Sequence, residues 1–112
     1  ADMTAAFDAA LPGVDALIAK GDLVSANARV TNAAKLTNDK TRLSQLDLRR
    51  SKIRAALGDL YNKGLAAYHS EDFKTAIDDL SIIVKIDADY EDASDYLQKA
   101  QEKQKLLSQF SD

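Results

Sequence analysis

The sequence has no cysteine and no tryptophan, and among its 112 residues it has one proline, one histidine and four glycines. Without cysteine there is neither a disulfide framework nor thiolate chemistry, which leaves an oxidising and a reducing compartment equally open. No run approaches the roughly 20 apolar residues needed to cross a bilayer. No basic, apolar and small-residue series marks an intact signal peptide. The chain reads as soluble, with its localisation undetermined. The opening Ala1-Asp2-Met3 suits a processed exported protein and a segment of a longer chain alike. The scarcity of helix breakers, with abundant alanine and leucine, favours helices through low side-chain entropy loss and intact backbone donors.

A chain of 112 residues reads as one domain, residues 1–112, or as part of a longer elongated one, burying roughly 60 to 65% of its unfolded surface. The formal charge of -3 is unevenly distributed. Residues 1–56 carry nine Lys and Arg against six Asp and Glu, while residues 57–112 carry six against twelve. Such polarity steers a partner or aligns copies, and equally describes a solvated helical surface.

Apolar spacing predicts five helices. The first covers residues 3–20, with Phe7, Leu11, Val14, Leu17 and Ile18 on one face. Pro12 conflicts with it, predicting a kink or a start near Leu11. Gly21 breaks the chain and Asp22 is an N-cap for a second helix over 22–36, carrying Leu23, Ala26, Val30 and Ala33. Thr37, Asn38 and Asp39 cap a third, long helix over 40–68, spanning roughly 40 Å if continuous. A turn at His69-Ser70-Glu71-Asp72 leads into a fourth over 73–86. There the helical period of Phe73, Ala76, Leu80 and Ile83 outweighs the strand-like run Ile82-Ile83-Val84. A corner at 87–89 precedes a fifth helix from Tyr90 to Phe110, expected to loosen after Lys103.

The stretch Gly64-Leu65-Ala66-Ala67-Tyr68, then Glu71-Asp72-Phe73, then Ala76, Leu80 and Ile83, resembles the tetratricopeptide repeat (TPR) family over residues 57–89. A divergent copy covers residues 7–38, where Gly21-Asp22-Leu23, Ala26, Val30 and Ala33 match at a constant offset of 50. The family's usual period is about 34, so the excess is assigned to long helical arms between residues 35 and 57. Leu60 stands in place of a frequent tryptophan, Lys63 of a leucine and Ala88 of a proline. The resemblance implies an all-α fold of antiparallel helical hairpins, a short solenoid whose small residues Ala67 and Ala76 mark where paired helices meet.

Such repeats hold peptides or neighbouring proteins on helical surfaces. The matching surface uses Tyr61, Leu65, Tyr68 and His69, with Asp92, Asp95 and Lys99 from the next helix. The two tyrosines offer flat apolar area with a hydroxyl, and serve equally as core. Leu65 occupies the asparagine-like position of the family's carboxylate clamp, so that subgroup's binding mode is not reproduced. A separate basic face comprises Arg42, Arg49, Arg50, Lys52 and Arg54, for an acidic protein partner or as a solvated arm. It lacks interleaved aromatics, and no nucleic-acid binding is expected. Leu106, Leu107 and Phe110 form an apolar tail for capping or self-association. His69 has no nucleophile-base-orienter set around it, and Asp78-Asp79 and the 87–89 corner do not form a recognised metal loop. No cofactor and no catalysis are expected. The function implied is a non-catalytic protein-protein interaction or scaffold module, with homotypic assembly or a structural capping segment as the alternative and a composite-site enzyme component ranked behind both.

Overall fold

A computed structural model describes residues 3–110. The expectation attached to the chain's first residues falls on Ala1 and Asp2, outside the described residues. The protein is all-α: α1 (Met3–Lys20), α2 (Leu23–Ala34), α3 (Lys40–His69), α4 (Phe73–Ile86) and α5 (Ala93–Phe110), with no strand among the described residues. The strand-like Ile82-Ile83-Val84 lies inside α4, where only Ile83 is fully buried, as a helical period requires. The fifth helix extends to Phe110.

Contacts divide the chain into two compact units, Ala1–Ala56 and Leu57–Asp112. The first holds α1, α2 and residues 40–56 of α3. The second holds residues 57–69 of α3, with α4 and α5. Within them α1 packs on α2 and α4 on α5. The division falls at the boundary where the charge balance changes sign.

Pro12 does not start a new helix near Leu11; α1 runs through it. Proline removes one backbone donor and crowds the carbonyl four residues earlier, at a cost of about 3 kcal/mol. Phe7 and Val14, on either side of Pro12, are both fully buried. Each side chain contributes about 1.5 to 3 kcal/mol on burial, which is enough to keep the two halves in one helix.

The offset of 50 read from the sequence is reproduced in hydrogen bonds. At the end of α1 the Gly21 N–H donates to Ile18 O (3.0 Å) and the Asp22 N–H to Leu17 O (2.9 Å). At the end of α3's second part the Glu71 N–H donates to Tyr68 O (3.1 Å) and the Asp72 N–H to Ala67 O (2.9 Å). Both are Schellman closures, which need a left-handed residue after the last helical turn. Gly21 has φ 85° and Glu71 φ 64°. The aspartate that follows caps the next helix: Asp22 accepts from Ser25 N–H (3.2 Å) and Asp72 from Thr75 N–H (3.3 Å).

Once the cap fixes where α2 and α4 begin, the buried positions follow in step. Leu23, Ala26, Val30 and Ala33 are buried in the first unit, and Phe73, Ala76, Leu80 and Ile83 in the second. In the second unit α3 approaches α4 at Gly64, where a Cβ would lie 3.1 Å from Leu80 Cγ and Cδ2. Leu80 is fully buried, so a side chain at position 64 would force it to shift by a few tenths of an ångström, and glycine allows the close approach without that shift.

The two corners differ in one respect with a measurable consequence. A non-glycine residue in the left-handed region costs about 1 to 2 kcal/mol. Glu71→Gly is therefore expected to raise stability by about 0.5 to 1 kcal/mol, after allowing for glycine's greater unfolded freedom. Gly21→Ala, with nothing within 4 Å of the added Cβ, is expected to lower stability by about 1 kcal/mol through backbone strain alone. Urea unfolding followed by circular dichroism measures both. Two shifts of the same sign would overturn the equivalence of the corners.

Candidate functional site

The second unit gathers aromatic side chains where the end of α3 meets α5. Tyr68 makes edge-on contacts with His69 (ring centroids 5.5 Å apart), Phe73 (5.7 Å) and Tyr96 (5.3 Å). His69 also stands 6.2 Å from Tyr96. Lys99 Nζ lies 5.4 Å from the Tyr96 ring, and Lys103 Nζ lies 5.7 Å from Tyr68 and 6.0 Å from Phe73. Phe73 is buried, Tyr68 and Tyr96 are half-buried, and His69, Lys99 and Lys103 are exposed. The last turn of α3, the first residue of α4 and two turns of α5 thus build an aromatic floor with cationic and imidazole groups at its edge.

Tyr61 serves a different purpose. Its ring packs edge-on against Tyr90 (5.6 Å, 69°), and its hydroxyl oxygen accepts from the Asp92 N–H at 3.4 Å. Partial burial, first, raises its pKa above the ordinary 10.0; the Asp92 N–H hydrogen bond opposes this, and the negative charges of Asp92 and Glu91 add to it. Tyr61 therefore ties α3 to the corner that precedes α5. In that corner Asp87 accepts from Asp89 N–H (3.0 Å) and Glu91 adopts φ 41°. Leu65 is half-buried, and Asp92 and Asp95 are exposed. The structure thus brings Tyr68, His69 and Lys99 together. Tyr61 instead goes with Tyr90 and Asp92. The surface read from the sequence includes neither Tyr96 nor Lys103, which meet the Tyr68 ring. The available signal was Lys103 one helical turn beyond Lys99.

The basic series is placed differently from a free face. Arg42 Nε pairs with Asp8 (3.2 Å) and its Nη1 reaches Asp39 (3.5 Å). Arg49 Nη2 pairs with Asp15 (2.9 Å), and its Nη1 donates to Gln45 O (3.0 Å). Its Nε is buried without a partner, and only 17% of the side chain is exposed. Arg50 pairs along the helix with Asp47 (3.1 Å). Lys52 and Arg54 are exposed. Arg42 and Arg49 are seven residues apart, as are Asp8 and Asp15, so each pair occupies one face of its helix. These two arginines fasten α3's first part to α1.

The remaining polar group with a displaced pKa is Asp79 on α4. Partial burial raises it above the ordinary 3.8; Lys63 opposes the shift, while Asp78 and Asp72 reinforce it. Among the described residues no group of three His, Asp or Glu is arranged to hold a metal ion, and no helix is long and apolar enough to cross a membrane. No protein-family model, curated protein or solved structure matches the chain.

Two outcomes follow. Asp15→Asn leaves a largely buried guanidinium without its charge partner and is expected to cost about 1 to 2 kcal/mol, whereas Asp8→Asn, on a more exposed pair, is expected to cost under about 1 kcal/mol. Chemical denaturation of both variants checks the order, and an equal cost would overturn the distinction. For Asp79, a pKa raised by folding means the folded state favours the neutral acid. Its stabilising contribution is present below the unfolded pKa and lost as pH rises through the folded one. Asp79→Asn should therefore be more stable than the parent at pH 7, the gap closing below about pH 4. Thermal melts across pH 3 to 7 would show a constant gap if this is wrong.

Proposed function

We propose that the chain is a non-catalytic interaction module of TPR-like helix pairs that holds a protein or peptide partner against the α3–α5 aromatic surface of its second unit. The observation that carries this reading is the cluster of Tyr68, His69 and Tyr96 with Lys99 at its edge. It places flat, partly exposed rings beside groups able to pair with a partner's backbone or carboxylate. Aromatic rings lose little side-chain freedom on binding and are enriched among residues that dominate interfaces. The TPR-like reading is supported by the recurrence of corner, cap and buried positions at an offset of 50, and by the close approach at Gly64. Tyr61 shapes this surface indirectly, by fixing the corner that carries Asp92, while Leu65 is half-buried on α3 and Asp95 exposed on α5. His69 contacts rings rather than an acid or a nucleophile, an arrangement suited to binding and not to proton transfer.

The test is a pull-down with the intact protein followed by quantitative titration of the captured partner. Lys99→Glu and His69→Ala alter exposed groups, so circular dichroism should remain that of the parent. Lys99→Glu is expected to weaken binding by about 1 to 2 kcal/mol and His69→Ala by about 1 kcal/mol. Unchanged affinity in both folded variants would remove this surface from the partner site.

A further inference from the structure

Next to the aromatic cluster, a groove of about 280 Å³ is lined by Glu71, Phe73, Lys103, Leu106, Leu107 and Phe110. It lies just below the roughly 300 to 1,000 Å³ typical of small-molecule sites and suits an inserted side chain better than a cofactor. On α5 the lining residues Lys103, Leu106, Leu107 and Phe110 follow the i, i+3, i+4, i+7 spacing of one helical face. Leu106 and Leu107 are half-exposed, and Phe110 is 84% exposed.

From these features we infer that the groove is a homotypic contact, in which two copies of this chain pair their α5 helices antiparallel about a two-fold axis and exchange Phe110. A two-fold contact requires one patch to hold both a projecting group and the hollow that receives it, because each copy gives what it takes. Here the projecting ring and the hollow share one helical face. An antiparallel pair centred on Leu106 and Leu107 sets residue 110 of one copy opposite residue 103 of the other. Each Phe110 then meets the Lys103 stem and the Phe73 wall, with the ammonium already seated over aromatic rings.

Charge points to the same occupant. A partner of one sign would call for a rim of the opposite sign, but this rim carries both, Glu71 and Lys103, and Glu102 stands one helical turn before Leu106. A patch that carries both signs can pair them with its own copy across a two-fold axis. Glu71 is also the residue that occupies the left-handed corner where the first unit has Gly21. The groove therefore keeps a carboxylate at a position where glycine is easier to accommodate, which a mere by-product of the helical corner would not require. The six lining residues are few against the roughly 20 to 30 per partner of a stable interface, so a weak, reversible dimer is expected. It uses residues other than His69 and Lys99 and does not depend on the partner reading above.

Sedimentation equilibrium of the 112-residue chain from about 10 µM to about 1 mM should show a monomer–dimer equilibrium with a dissociation constant in that range. Phe110→Ser, at an exposed position, should keep the helical circular dichroism and weaken association by about tenfold or more. The absence of cysteine allows a second readout. A nitroxide on Ser108→Cys, mixed with isotope-labelled unlabelled-spin chain, should broaden amide signals of residues 71–73 and 102–110 in the other copy. A monomer throughout the range would overturn the inference. So would a dimer indifferent to Phe110→Ser, broadening centred elsewhere, or a monomer whose pulled-down partner protects Leu106, Leu107 and Phe110.

Discussion

The left-handed corner followed by a capping aspartate is the constraint on which each unit depends. It closes one helix through two backbone bonds and opens the next through a carboxylate, so orphan donors and acceptors at both ends are met within four residues. Its effect on packing comes from position rather than energy. Because the first residue of the second helix is fixed, the positions one, two and three turns on are fixed too. Ala26 and Ala76, both fully buried, fall where a larger side chain would force the helices apart. A slip of one residue at the corner would rotate the helix by roughly 100° and carry the buried face away from its neighbour.

On this shared frame the units use different means to secure their third helical segment. The first sets arginines of α3 against aspartates of α1. The second sets Tyr68 against Tyr96, and Tyr61 against Tyr90 at the edge of the corner. Exposed ion pairs contribute about 0.2 to 1 kcal/mol and are screened by salt, while edge-on aromatic pairs contribute about 0.5 to 1.5 kcal/mol beyond their buried area. The basic excess of the first half is thus partly spent within the fold. In the second half, where rings make the contact, charged groups at the same surface remain exposed.

Much of this was legible from spacing and end signals. Residues 73–86 are read correctly at both ends because Asp72 caps one and a polar corner stops the other. The α5 start is read three residues early, since Tyr90 continues the apolar pattern but faces Tyr61 from the corner. Residues 3–20 are read as one helix and form one, and the start near Leu11 that Pro12 suggests is absent because its local penalty is outweighed by the burial of Phe7 and Val14, which is a tertiary fact. The arginines mislead for a related reason. A helical face can be read from Arg42 and Arg49, but its opposite number, Asp8 and Asp15, becomes visible only when α1 is known to lie alongside. Matching seven-residue intervals in the two helices were the one available sign.

Glu71 shows how the repeat and its use are connected. The offset of 50 places it at the position of Gly21, where the backbone demands φ above zero, so a sequence tuned only for folding would repeat the glycine. Local rules tend to be broken where a side chain has another task. Glu71 lines the groove with Phe73 and Lys103, beside the rings of Tyr68 and Tyr96. The departure thus falls at the groove, while the two closing bonds and the cap of the corner are retained to within about 0.1 Å, and the Leu23 N–H to Gly21 O bond (3.0 Å) of the first unit has no counterpart. The second corner thus keeps its closing and capping bonds with glutamate in place of glycine, and the side chain this adds stands at the groove, where a glycine would offer no carboxylate.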